Sequence, residues 1–201
     1  MLVFLKENSY NIIKMFINQI GMTVFGTVLA FATGSNLNLY LMTSIFAIVF
    51  YLSLLYSMSW EIGAKDKIRV ESGRMPSKPM LGMFLSLSAN IPNIILVFLF
   101  FVGYVFGVVM GQAWAGYLYL LVNGFLRLLM GMYTGTINYF LPETINYVDS
   151  EVYRGVEFGS ILNPIMFLLA ILPSVIICTL SYYLGLKEFR LSALFKLKTT
   201  K

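Results

Sequence analysis

The sequence predicts an all-α, polytopic integral membrane helical bundle, and three observations predict it. Only 11% of the residues are charged while 59% are apolar, against about 25% and 45–50% in a soluble domain. A chain of 201 residues has too much surface to hide that much apolar side chain from water. Uncharged runs extend over Met15–Trp60, Pro79–Leu126, Leu128–Pro142 and Phe158–Leu186, which is 138 of the 201 residues. A helix needs about 20 mostly apolar residues to cross roughly 30 Å of hydrocarbon. Finally, blocks such as Ile94–Phe101 do not alternate, so they lack the dyad pattern of a transmembrane barrel.

Five clear spans follow in order: Met15–Thr33, Leu37–Ser59, Pro92–Gln112, Ala115–Phe140 and Ile161–Gly185. The chain reads as one membrane domain, 1–201, with a basic arm at 1–14, a basic cytoplasmic loop at 60–79, an acidic loop at 141–160 and a basic tail at 187–201. The turn Gly34-Ser35-Asn36 is short and polar, so the first two spans form a tight hairpin. Met80–Ile91 is apolar, but 12 residues are too few to cross. This segment, around 80–91, reads as an interfacial helix or a re-entrant piece. Pro164 and Pro173 predict kinks in the last span. Trp114, Tyr117, Tyr119, Tyr133 and Tyr139 read as interfacial anchors.

Lys and Arg mark the cytoplasmic side of a plasma-membrane protein. The arm carries Lys6 and Lys14, and the loop carries Lys65, Lys67, Arg69, Arg74 and Lys78. The tail, with Lys187, Arg190, Lys196, Lys198 and Lys201, belongs on that side too, yet five crossings place it outside. A sixth crossing or a re-entrant element between Pro79 and Phe140 removes the conflict, although 62 residues are tight for three full spans. The run ending Ala30-Phe31-Ala32 has the form of a signal-peptidase site. Asn18 and Gln19 interrupt it and the arm is long, so a retained first span is expected. The net charge of +5 sits beside the anionic leaflet. No long basic face exists elsewhere, so nucleic acid is not an expected partner.

Small residues recur at helical spacing. Gly103, Gly107, Gly111 and Ala115 follow one another every four positions, as do Gly26, Ala30 and Gly34, and Gly131 with Gly135. Such faces let two helices approach closely where lipid supplies no hydrophobic drive. Packing within the chain is the simpler reading. The alternative is a homo-oligomer, or a partner membrane subunit (that of an ATPase, for example), docked on the Gly103 stripe.

Polar groups inside the spans are the candidate binding residues. In Ala89-Asn90-Ile91-Pro92-Asn93, Pro92 lacks an N–H and frees a carbonyl one turn back. Broken helices of this kind line sites in many transporters, while Pro in the first turn of a helix is the structural alternative. Arg127 is the ionisable residue inside a span, where a central Arg costs on the order of 2.5–3.5 kcal/mol. It calls for a partner: Asn123, Asn18, Gln19, an anionic solute or a lipid headgroup. Snorkelling to an interface is the other outcome. The candidate substrate-binding set is therefore Asn18, Gln19, Asn90, Asn93 and Arg127. Asp149, Glu151 and Glu157 are hard ligands suited to a divalent cation, but their spacing matches no calcium loop, and a solvated loop is expected.

The chain has no His, which removes Ser-His and Cys-His nucleophiles and His-bearing metal centres. It has no Gly-x4-Gly-Lys-Ser/Thr phosphate loop and no carboxylate pair within a span. The lone Cys178 cannot form an intramolecular disulfide. Neither a cofactor nor a metal is expected. The sequence points to a non-enzymatic multi-pass protein that binds or moves a small solute, alone or as the membrane subunit of a transport complex. The alternative is a structural or regulatory protein that packs against a partner through its Gly-rich faces.

Overall fold

The structure is a computed structural model and describes residues 2–140, 146–147, 157–158 and 162–189. Its helices are α1 (Leu2–Thr33), α2 (Leu37–Glu71), α3 (Leu81–Ala89), α4 (Ile91–Gly103), α5 (Ala113–Leu129), α6 (Gly131–Phe140) and α7 (Leu162–Leu186). A π-helical turn, Tyr104–Val109, continues α4. Two-residue strands, β1 (Asn146–Tyr147) and β2 (Glu157–Phe158), pair antiparallel. Among the described residues, α1, α2, α4 with its π turn, and α7 are long and apolar enough to cross a membrane. The all-α membrane bundle stands.

The helix ends differ from the sequence expectation. Most of the basic arm is the start of α1, and the loop expected at 60–79 is helical as far as Glu71. Ion pairs at i,i+4 support that extension, Glu61 with Lys65 at 2.6 Å and Lys67 with Glu71 at 3.4 Å. The helix stops at Gly73, whose φ of 72° suits a residue without a Cβ. The N–H groups of Gly73 and Arg74 reach back to the Val70 and Arg69 carbonyls, which is a Schellman cap. At the other end of α2, the Asn36 Oδ1 accepts from the N–H groups of Asn38 and Leu39 and caps the α1–α2 turn.

The chain divides into two compact units. One comprises Met1–Phe16, Leu52–Ala89 and Leu172–Lys201, the other Ile17–Tyr51 and Asn90–Ile171. In the first unit, backbones meet without intervening side chains. A Cβ at Gly63 would run into the Tyr182 carbonyl, one at Gly185 into that of Trp60, and one at Gly82 into that of Cys178. Asp66 is buried; its Oδ2 accepts from the Tyr182 hydroxyl at 3.0 Å and its Oδ1 from Arg69 at 3.2 Å. Lys67 pairs with Glu188 at 3.0 Å, and the Trp60 indole donates to the Phe189 carbonyl at 2.9 Å. The C-terminal ends of α2 and α7 thus pack together, in the same unit as the start of α1. Here α3 is a nine-residue helix packed on α7, and the segment 80–91 is no crossing of its own.

In the second unit, α4 with its π turn and α5 form a close antiparallel pair. A Cβ at Gly103 would lie 2.9 Å from the Tyr119 Cα, and one at Gly107 would lie 2.5 Å from the Gly116 nitrogen. Phe100 stacks on Tyr119 at 4.6 Å. Gly111, expected within the stripe, instead makes the turn before α5 with a φ of 71°. Ala115 belongs to the facing helix, and the stripe of four is not one helix face.

The expected span Ala115–Phe140 is two helices. At Met130 the chain bends by 113° between α5 and α6. Gly131 then lies beside Thr27, Met132 against Gly26, and Gly135 against the Tyr40 carbonyl and Ser44. These contacts carry α6 from α1 across to α2. Three small residues permit the close approach, because Gly26, Gly131 and Gly135 leave no Cβ between the helices. Ser44 secures it, donating to the Met132 carbonyl at 2.6 Å and accepting from the Thr136 N–H at 3.1 Å. The bent α5–α6 pair is a broken span or a re-entrant element, so the described residues hold four crossings or five.

Candidate functional site

The break at Met130 exposes the last carbonyls of α5, which have no intrahelical donors. In hydrocarbon each bare carbonyl costs several kcal/mol, so the sequence must supply donors. Gln19 and Thr23, one turn apart on α1, do so: the Gln19 Nε2 donates to the Leu129 carbonyl at 3.1 Å and the Thr23 hydroxyl at 2.7 Å. Both donors lie ten or more residues before Thr33 at the end of α1, so the tip of the pair reaches roughly 15–20 Å below the α1–α2 turn. That is about half of the hydrocarbon thickness.

Gln19 is also the link to the second break. Its Oε1 accepts from the Asn93 Nδ2 at 2.9 Å, and the same Nδ2 donates to the Asn90 Oδ1 at 2.9 Å. Gln19, Asn90 and Asn93 are all buried, Asn93 completely at 0% exposure. The Asn93 Oδ1 accepts no hydrogen bond among the described residues. Pro92 sits in the first turn of α4, where its missing N–H costs nothing. This amide cluster is a structural joint between the α4 start and the α5–α6 tip. Asn18, the neighbour of Gln19, is half-buried.

Arg127 lies elsewhere. Its Nε donates to the Asn123 Oδ1 at 3.2 Å, as expected from their spacing, and its Nη1 to the Asn138 Oδ1 of α6 at 3.2 Å. Gln19 is committed to Leu129 and Asn93 and is not its partner. Arg127 lines a cavity of about 490 Å³ together with Thr27, Tyr40, Thr134, Phe31 and Leu128, among others. Gln19, Asn90 and Asn93 are not in its wall. The expected site thus separates into two places, a packed amide joint and an open cavity around a guanidinium.

No known protein family, curated protein or solved structure matches this chain. Its function has to be read from these side chains alone.

The glycine residues fall into internal packing. Gly26, Gly103, Gly107, Gly131 and Gly135 each face backbone or side chains of this same chain, while Ala30 lines the cavity. Three contacts had no sequence expectation: Thr23 on Leu129, Asn138 on Arg127, and Asp66 with Tyr182. For Thr23 a signal existed, since Gln19, Thr23 and Thr27 form a polar i, i+4, i+8 row in an apolar helix. The candidate cation ligands Asp149 and Glu151 lie outside the described residues, as does the Glu157 side chain. Among the described residues no cluster of His, Cys, Asp and Glu has metal-site geometry.

Proposed function

We propose that this chain is a multi-pass plasma-membrane protein that binds and moves a small solute, alone or as the membrane subunit of a transport complex. The N-terminus, the basic segment after α2 and the C-terminus face the cytoplasm. The observation that carries this reading is the bent α5–α6 pair, taken as re-entrant, with Arg127 in the cavity beside it. Irregular backbone at membrane depth persists only where it is buried in protein or lines a cavity, and half-helices that end inside the bilayer are where many transporters hold substrate. A purely structural role for the Gly faces has less support, because α5, α1 and α2 of the same chain already fill them.

Accessibility tests the reading. In a Cys178→Ser background, single cysteines at Gly124 and Thr134, which line the cavity, are expected to react with a membrane-impermeant maleimide added outside right-side-out vesicles. A cysteine at the fully buried Asn93 is expected to stay unlabelled. Protection of both cavity positions would remove the solute route.

A further inference from the structure

The cavity also indicates the class of its occupant, an inference that rests on the solute-binding reading above. Its wall is mostly apolar, yet it carries the Arg127 guanidinium and the hydroxyl-bearing side chains of Thr27, Tyr40 and Thr134. A free inorganic anion would gain nothing from the apolar wall, and an apolar solute would gain nothing from the guanidinium and the hydroxyls. Position narrows the choice further. Gly34 of the α1–α2 turn lines the cavity, so the mouth lies at headgroup depth. Phe31 and Leu128, also in the wall, are 86% and 62% exposed; in a bilayer those surfaces meet acyl chains, and the cavity opens to lipid as well as to water.

We infer that this cavity binds the headgroup of an anionic phospholipid, with its phosphate on Arg127 and the first part of its acyl chains against Phe31 and Leu128. The volume, about 490 Å³, falls within the range of small-ligand sites. Asn123 and Asn138 hold the Nε and one Nη of Arg127 and so orient the planar guanidinium, whose fork matches phosphate oxygens.

Native mass spectrometry of the detergent-solubilised full chain, with phosphatidylglycerol or phosphatidylcholine added at equal concentration, tests this. Phosphatidylglycerol carries a net negative charge and phosphatidylcholine none, so wild type is expected to retain phosphatidylglycerol several-fold better than phosphatidylcholine. Arg127→Gln should abolish the preference and Arg127→Lys should keep part of it. Gly124→Leu fills the cavity from a position where a Cβ meets open space, and it should lose both lipids with an unchanged elution profile. If Arg127→Gln fails to fold, Gly124→Leu decides alone. Equal retention of the two lipids by wild type, or undiminished retention in Gly124→Leu, overturns the inference. Displacement of phosphatidylglycerol by millimolar inorganic phosphate also overturns it, in favour of a free-anion site. Labelled cavity cysteines with no lipid preference reject the lipid and keep the solute route; protected cysteines with a clear preference do the reverse.

Discussion

The Leu129 carbonyl shows what a helix end needs when no water can reach it. Two donors serve it, Gln19 and Thr23, so either can be lost while the other remains. Gln19→Leu and Thr23→Val are each expected to cost about 1 kcal/mol, near the average for hydrogen bonds between membrane helices. Together they leave the carbonyl bare, and the double variant should exceed the sum of the singles by about 1 kcal/mol or more. Thermal unfolding in detergent measures all four corners of the cycle, and strict additivity would mean the carbonyl finds another donor. Asn93→Leu should cost more than Gln19→Leu, because it leaves both the Gln19 Oε1 and the Asn90 Oδ1 without their donor. Gln19, Asn90 and Asn93 were legible in the sequence as polar residues inside apolar runs. What they bind was not, because a backbone carbonyl has no signature until its helix breaks, and its Thr23 donor is 106 positions away.

At the level of elements, the apolar runs located α1, α2, α4 and α7, since hydrocarbon thickness imposes their length. The break at Met130 was not legible. Leu128–Phe140 contains no Pro, and a single Gly is tolerated within a helix. Contacts with α1 and α2 make the bend favourable, and these are tertiary. For the same reason the Gly103 stripe was read as four residues on one face when Gly111 is a turn. The α4–α5 pair now makes a sharp prediction about which glycines matter. Gly107→Ala puts a methyl onto the α5 backbone, and overpacking of this kind costs about 1–3 kcal/mol or more. Gly21→Ala meets nothing within 4 Å, and an Ala inside a helix gains roughly 0.5–1 kcal/mol over Gly. Unfolding in detergent should therefore move in opposite directions for the two variants. Size-exclusion chromatography should show the same oligomeric state for Gly107→Ala as for wild type. A change of oligomeric state with unchanged stability would return the stripe to an intermolecular role.

For the whole molecule, the question is parity. The sequence alone set the basic tail against an odd number of spans, and no redrawing of 62 residues into three full helices was comfortable. Under the proposed re-entrant reading α5 and α6 add nothing to the count, and α1, α2, α4 with its π turn, and α7 make an even number of crossings. The packing of the C-terminal ends of α2 and α7, through Gly63, Gly185 and the Lys67–Glu188 pair, supports the same reading independently. Two helices that both cross and meet at their C-terminal ends must finish on one side. The proposed cytoplasmic side of the arm, the segment after α2 and the tail is the one that the positive-inside bias favours. Reporters fused after Lys201 and inserted at Arg74 should both signal a cytoplasmic location, and one inserted at Ser150 an external one. An external signal after Lys201 with a cytoplasmic one at Arg74 would require α5 and α6 to form a fifth, bent crossing. In that case Gln19 and Thr23 would cap a break inside a crossing helix, and the proposed half-depth tip would be withdrawn.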